Sequence, residues 1–405
     1  MGRSERMAHP GFYRAAVRWF MVVVASMCVA LLSALFIYDP LMLFHAPWGR
    51  PWTLHESMRL QAAGIINNAD FDGLILGTSM TENTSAEAAG RLLGGRFVNL
   101  SVTASDYFER GLLLEHAIRR RDIRQVIYSL DAGVFGREGH RVFHKEAFDF
   151  LYDRNPLNDF RAYMTPKFLE CLARFSLREE CVGREASLDR PNAWYWMEDQ
   201  NVRFGGLDNW FRARNDWQVK AALASIAEDA RRIEAGEVIP ADEASRAAAA
   251  VDAIAYVDRY VLRHVEQNPQ TRFFLFFPPY SRIRFAQWHQ LALPVVAAHE
   301  AVVRHLAERA AELGNLELLG FEDQGFPDDI AWYKDTGHYR DDIDMMILVA
   351  MAEGTHRLTA SNVDAYLGTS RTLAMGFDLV GLGRRIRAYL DEVEGAGKPA
   401  TEGGL

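Results

Sequence analysis

The chain has 405 residues, which fits two compact domains or one large α/β domain carrying an insertion. Apolar residues make up 49% and aromatics 12%, enough for a sizeable core, which argues against global disorder. The formal net charge is -9 and no long basic stretch occurs, which argues against nucleic acid as a partner.

The first element is a membrane span. From Trp19 to Tyr38 no charged residue occurs. About 20 helical residues rise ~30 Å, the thickness of one bilayer core. Trp19 and Tyr38 stand at the ends, where amphipathic rings favour the interface. Arg3, Arg6, Arg14 and Arg18 precede the run, and Asp39, Pro40, Pro47 and Pro51 follow it. The positive-inside rule then puts residues 1–18 in the cytoplasm, the span at 19–38 and the rest outside, in the periplasm or the extracellular space. A cleaved signal peptide is the alternative, but its apolar region is usually shorter, ~7–15 residues, with a small-x-small site beyond. No clear site of that type follows Leu35. Cys28 lies inside the run after Met27, which does not make a lipoprotein signal.

Residues 39–70 read as a connector with a short amphipathic helix around His55–Ile66. Residues 71–134 then alternate: strand Gly73–Leu76, helix Ser85–Leu93, strand Phe97–Leu100, helix Tyr107–Arg120, strand Gln125–Leu130. Residues 135–252 lack strand periodicity and read as a mostly helical insertion, its far side an Ala- and Glu-rich stretch from Val219 to Gln267. The alternation resumes over 253–355, with strand Arg272–Phe277, helix Leu293–Leu313, strand Leu316–Leu319 and helix Asp341–Ala352. Residues 356–405 form a tail with helical spacing over Leu379–Val393. Strands separated by helices predict parallel βαβ units and a doubly wound α/β sheet.

In an open parallel sheet ligands bind beyond the carboxyl ends of the strands. The polar candidates fall there: Ser79 after the first strand, Asn99 and Ser101 at the second, Asp131 at the third, Tyr280 after the fourth, and Asp335 with His338 after the fifth. A serine hydroxyl is a poor nucleophile until a base takes its proton. Ser79 follows Gly77 in a strand-to-helix turn, His338 is the natural base, and Asp335 can hold its tautomer. Ser79 has a second reading as a helix N-cap, for which Thr78, Thr81, Asn83, Thr84 and Ser85 compete. No phosphate loop and no Cys/His cluster occurs, so neither metal nor cofactor is expected.

These residues resemble the SGNH/GDSL hydrolase superfamily over roughly 72–131 and 273–352. GTSM at 77–80 stands where the family has its Gly-Asp-Ser-Leu block, and DTGH at 335–338 where it has Asp-x-x-His. With its membrane anchor the chain is similar in plan to the D-alanyl transfer protein of lipoteichoic-acid modification and to polysaccharide O-acetylation proteins. The resemblance implies a flavodoxin-like sheet, a Ser79 nucleophile and ester chemistry on an envelope glycan or other acylated surface polymer, beside a membrane-bound O-acyltransferase. The sequence departs from the family in two blocks. NLSVTASD at 99–106 lacks the glycine near the oxyanion hole, and SLDAG at 129–133 has Asp131 where the family has an asparagine. The Ser79 N–H, Asn99, Ser101 and an N–H near Ala104 remain as possible donors. A catalytically impaired domain that binds glycan or docks on an acyltransferase or export complex is the alternative.

Two further features stand outside that pattern. Trp194, Trp196, Trp210 and Trp217 could form a sugar-binding wall, though such aromatics more often serve as core or membrane-interface residues. Cys171 and Cys181 fall in the part read as extracytoplasmic, where disulfides form. An unbroken helix would hold them ~15 Å apart, so a bridge requires a break, expected near Ser176.

Overall fold

The computed structural model describes residues 10–132, 145–237 and 242–396. The chain divides into two compact units, one of residues 1–69 with 146–186, the other of residues 70–145 with 187–405.

The first unit begins with α1, Pro10–Tyr38. Its segment Tyr13–Tyr38 is long and apolar enough to cross a membrane. Beyond Tyr38 the backbone turns sharply, with positive φ at Asp39 and Met42. The buried Asp39 carboxylate ties the turn by accepting from the N–H groups of Leu43, Phe44 and His45 at 2.9, 2.9 and 3.0 Å. It also accepts from the Tyr163 hydroxyl at 2.5 Å. Helix α2, Met58–Asn68, starts three residues later than expected. Its Gly64 permits close approach, since a Cβ there would lie 2.0 Å from the Leu41 carbonyl oxygen. Thr53–Leu54 pairs antiparallel with Arg184–Glu185. The segment read as a connector is thus one side of a folded unit whose other side is the first part of the insertion.

In this unit helix Pro166–Ala173 stops, and Phe175 takes φ +45°. The Ser176 N–H returns to the Cys171 carbonyl at 3.0 Å. That break, one residue before the expected position, brings Cys171 and Cys181 to a Cα separation of 5.7 Å, and they are bridged. Closing so short a loop stabilises by about 3 kcal/mol on the chain-entropy model. Reductant, or the Cys171→Ser/Cys181→Ser pair, should lower the unfolding free energy of the full chain by that amount, as read from denaturant titrations.

The second unit is built on a five-stranded sheet: β1 Gly73–Leu76, β2 Phe97–Asn99, β3 Gln125–Ser129, β4 Arg272–Phe276 and β5 Leu316–Leu319. The order is β2-β1-β3-β4-β5, every pair parallel. The strands read as near-continuous apolar runs, the pattern of a sheet covered on both faces. Helix α3, Ala86–Leu93, joins β1 to β2, and α4, Tyr107–Arg120, joins β2 to β3. Helices α7 Leu293–Glu312 and α8 Asp341–Glu353 follow the expected spans closely, and the Ala- and Glu-rich stretch from Val219 to Gln267 holds most of α5, Trp217–Glu234, and all of α6, Glu243–Val257. Helices Arg282–Leu291 and Val363–Gly376 were not expected. Helix Leu379–Ala396 closes the described part of the tail.

Because β2 lies on one side of β1 and β3 on the other, the crossovers leave in opposite directions. The crevice at such a switch point is where open α/β sheets bind ligands.

Candidate active site

Gly77 follows β1, and its lack of a side chain is required. A Cβ there would meet the Thr81 Oγ1 at 2.2 Å and the Ser129 Cβ at 2.9 Å. The Gly77 carbonyl accepts from the Val102 N–H at 2.9 Å and the Ser105 hydroxyl at 3.1 Å. Thr78 donates to Asp131 Oδ1 at 2.9 Å. Backbone and side-chain bonds therefore fix the turn on either side of Ser79. The N-cap of α3 is Ser85, whose oxygen accepts from the Ala88 N–H at 2.9 Å. Ser79 does not perform that task. Ser85→Ala should cost about 1 kcal/mol of stability and Ser79→Ala almost none, as read from paired denaturant curves.

Ser79 Oγ lies 2.8 Å from His338 Nε2. His338 Nδ1 lies 2.8 Å from Asp335 Oδ2. The other oxygen of Asp335 accepts from the N–H groups of Gly337 and His338 at 2.8 and 2.9 Å. Burial pushes the Asp335 pKa up, but the charge and hydrogen bonds of His338 and the Lys334 ammonium outweigh it and hold the carboxyl well below its usual range. With the Nδ1 proton directed at Asp335, the Nε2 lone pair faces the Ser79 hydroxyl and can accept its proton. The 335–338 loop is held at both ends by an antiparallel bridge between Tyr333 and Tyr339. Ser281 Oγ donates to the Thr336 carbonyl at 2.7 Å, and Arg284 donates to the Thr336 hydroxyl at 2.6 Å.

Trp194 supports the pair from below. Its Nε1 donates to the Ser79 carbonyl at 2.9 Å, and its ring meets that of His338 edge-on, centroids 5.5 Å apart. Asn83 Oδ1 accepts from the N–H groups of Trp194 and Tyr195 at 3.1 and 3.0 Å. The Lys334 ammonium sits 3.7 Å over the indole and donates to Gln200 Oε1 at 2.7 Å. Burial lowers its pKa to about 8.

Both carboxylate oxygens of Asp131 are engaged by neighbouring side chains. Its Oδ2 pairs with the fully buried Arg110 at 3.2 Å and accepts from the Ser129 hydroxyl at 3.2 Å. Tyr280 donates to Oδ1 at 3.4 Å, and burial pushes that phenol well above its ordinary value. Asn99 and Ser101, expected as donors to an oxyanion, are instead braces. The Asn99 amide donates to the carbonyls of Thr81 and Thr84 at 2.7 and 2.8 Å, and its oxygen accepts from the Ser101 N–H. The Ser101 hydroxyl lies 2.7 Å from that of Thr81. Ala104 has φ +54° and is exposed on the loop tied to Gly77. That conformation favours glycine, the residue whose absence from 99–106 is noted above.

The tryptophans divide. Trp210 is core, with its Nε1 donating to the Tyr333 carbonyl at 3.0 Å. Trp196 and Trp217 are exposed. The sequence pattern did not single out Lys334 and Arg110, named Asn83 only among the N-cap candidates, and gave Trp194 no role beside Ser79.

Fold and site together define a mixed α/β protein with a hydrogen-bonded serine–histidine–aspartate chain at the carboxyl edge of a parallel sheet. Neither family models, nor curated proteins, nor solved structures give a match to this chain.

Proposed function

We propose that this chain is a membrane-anchored serine esterase or O-acyltransferase of the SGNH type, acting on acyl esters of an extracytoplasmic envelope glycan. The observation that carries the reading is the unbroken chain Ser79 Oγ–His338 Nε2, His338 Nδ1–Asp335. The strand order, 2-1-3-4-5, supports it as the flavodoxin-like order. In the reaction Ser79 Oγ bonds to the acyl carbonyl carbon while its proton passes to His338 Nε2. The carbon–oxygen bond to the leaving alcohol breaks, and that alcohol takes the proton. Water or a sugar hydroxyl then gives its proton to His338 and attacks the acyl-Ser79 ester, which releases the acyl product and restores the serine. The Ser79 N–H and the loop N–H near Ala104 are the donors assigned to the oxyanion. The pairing of Asp131 with Arg110 neutralises the charge that would oppose it.

The apolar helix α1 and the arginines before Trp19 support the envelope setting, since the positive-inside rule favours an N-terminus in the cytoplasm and a main domain outside. A reporter that works only outside the cytoplasm, fused after Leu405, is expected to be active. Silence there would reverse the topology.

A second reading has one observation in its favour. The family's glycine and asparagine donors are replaced by Ala104 and by Asp131, which is engaged elsewhere. The domain would then bind glycan or dock on a membrane-bound O-acyltransferase without turnover. A fluorophosphonate probe separates the two. Wild type labels and Ser79→Ala does not if the serine is activated; equal labelling of both, or of neither, overturns the enzyme reading.

A further inference from the structure

The end of α1 is surrounded by apolar side chains that face outward. Trp48 is 61% exposed, with its ring 6.2 Å from that of Phe36 in the last turns of α1. On another segment, Phe175 is 54% exposed with its ring 5.5 Å from that of Tyr38, the last residue of the helix. Leu177, two residues on, is 62% exposed. The Tyr38 hydroxyl donates to the intervening Ser176 carbonyl at 2.5 Å. The tip is built to stay in place. The Cys171–Cys181 bridge closes it, and Phe175 holds φ +45°, a conformation a bulky residue rarely adopts. Exposed Lys167, Arg174 and Arg178 line a hollow of about 560 Å³ beside the bridge, with Glu170 and Glu180 paired to the arginines at 3.1 and 3.5 Å.

We propose that the disulfide-closed tip 174–178, with Trp48, is a collar that seats the first unit in the lipid interface. This rests on the reading of α1 as a membrane span. The end of a span lies at headgroup depth, and amphipathic aromatic rings favour that layer. Side chains in contact with Phe36 and Tyr38 therefore sit at the same depth. Phe175, Leu177 and Trp48 enter the boundary between headgroups and acyl chains, and the basic residues face anionic headgroups. The bridge keeps the tip beside the helix rather than letting it trail in water.

The test uses the full chain with Cys28→Ser, reconstituted in vesicles of phosphatidylcholine and phosphatidylglycerol. A fluorophore is placed at Leu177→Cys or, as the reference, at the exposed position Ser361→Cys. Quenchers are carried either by lipid nitroxides or in water. The Leu177 label is expected to lose most of its emission to the lipid-borne quencher, and the Ser361 label to lose it only to the aqueous one. A chain that resists carbonate extraction but whose Leu177 label is quenched only from water overturns the collar and leaves the anchor standing. Protection of that label from both quenchers overturns it in favour of contact with a second copy. A chain stripped off by carbonate overturns the anchor, and the collar with it.

Discussion

Asp335→Asn should lower the turnover of an acyl ester by about 10⁴-fold and leave the fold in place. The amide can occupy the same site, but it cannot favour the tautomer that leaves Nε2 free, nor stabilise the imidazolium that forms. Ester hydrolysis and fluorophosphonate labelling would report the loss, with circular dichroism as the fold control. His338→Ala is expected to cost more, about 10⁶-fold, because the base itself is gone. Retention of wild-type labelling by Asp335→Asn would show that Ser79 is activated by something else. The substitution also has an acid signature. The folded-state pKa of Asp335 lies below its unfolded value, so its contribution to stability is present above about pH 4 and fades as pH falls through the folded pKa. The wild type's advantage over the variant should therefore shrink on acidification.

The largest effect on stability is expected at Arg110. The guanidinium is fully buried and donates to the carbonyls of Ser129 and Ser105 at 2.6 and 3.2 Å, besides pairing with Asp131. It lies 4.6 Å from the ring centroid of Tyr107 and 5.1 Å from that of Tyr128. Arg110→Met would leave the Asp131 carboxylate buried without its counter-charge, which costs about 3–5 kcal/mol. Adding Asp131→Asn should recover part of that loss, since the stranded charge is then removed. Urea titration of the single and double variants measures the coupling. An Arg110→Met chain as stable as wild type would mean that the pair contributes nothing to folding.

The strands were legible because each is a short, mostly apolar run, two of them stopped by a following glycine, and a fully buried parallel strand admits little else. Ser79, Asp335 and His338 were legible because a parallel sheet collects residues at its carboxyl edge whatever their distance in sequence. The side-chain bonds around them were not. Asn99 and Ser101 sit at a strand end, as an oxyanion donor would, and only the path of the turn at 78–84 shows that their polar atoms are engaged there. Helix Arg282–Leu291, which the sequence reading lacks, opens on Arg282. That arginine is buried because the Glu322 and Gln324 carbonyls and Asp328 accept its protons. The division of the insertion between two units was hidden as well. It depends on contacts such as Tyr163 with Asp39, 124 residues apart, which leave no local periodicity.

The placement of β3 has a consequence for how the molecule is made. Its β1 edge is satisfied by a strand from the same short stretch of chain, whereas its other edge waits for β4. Thr271 Oγ1 reaches the Ile123 carbonyl across 148 residues, and Ser79 meets His338 across 259. Contacts of such separation form late, because the loop-closure entropy must be overcome before they contribute. Until residues 272–276 arrive, a nascent chain carries a three-stranded half-sheet with an open, apolar edge, the kind of surface on which strands from other chains pair. A stall in emergence between 132 and 272 should therefore favour aggregation over a waiting intermediate, and Ser79 would exist for that interval without His338.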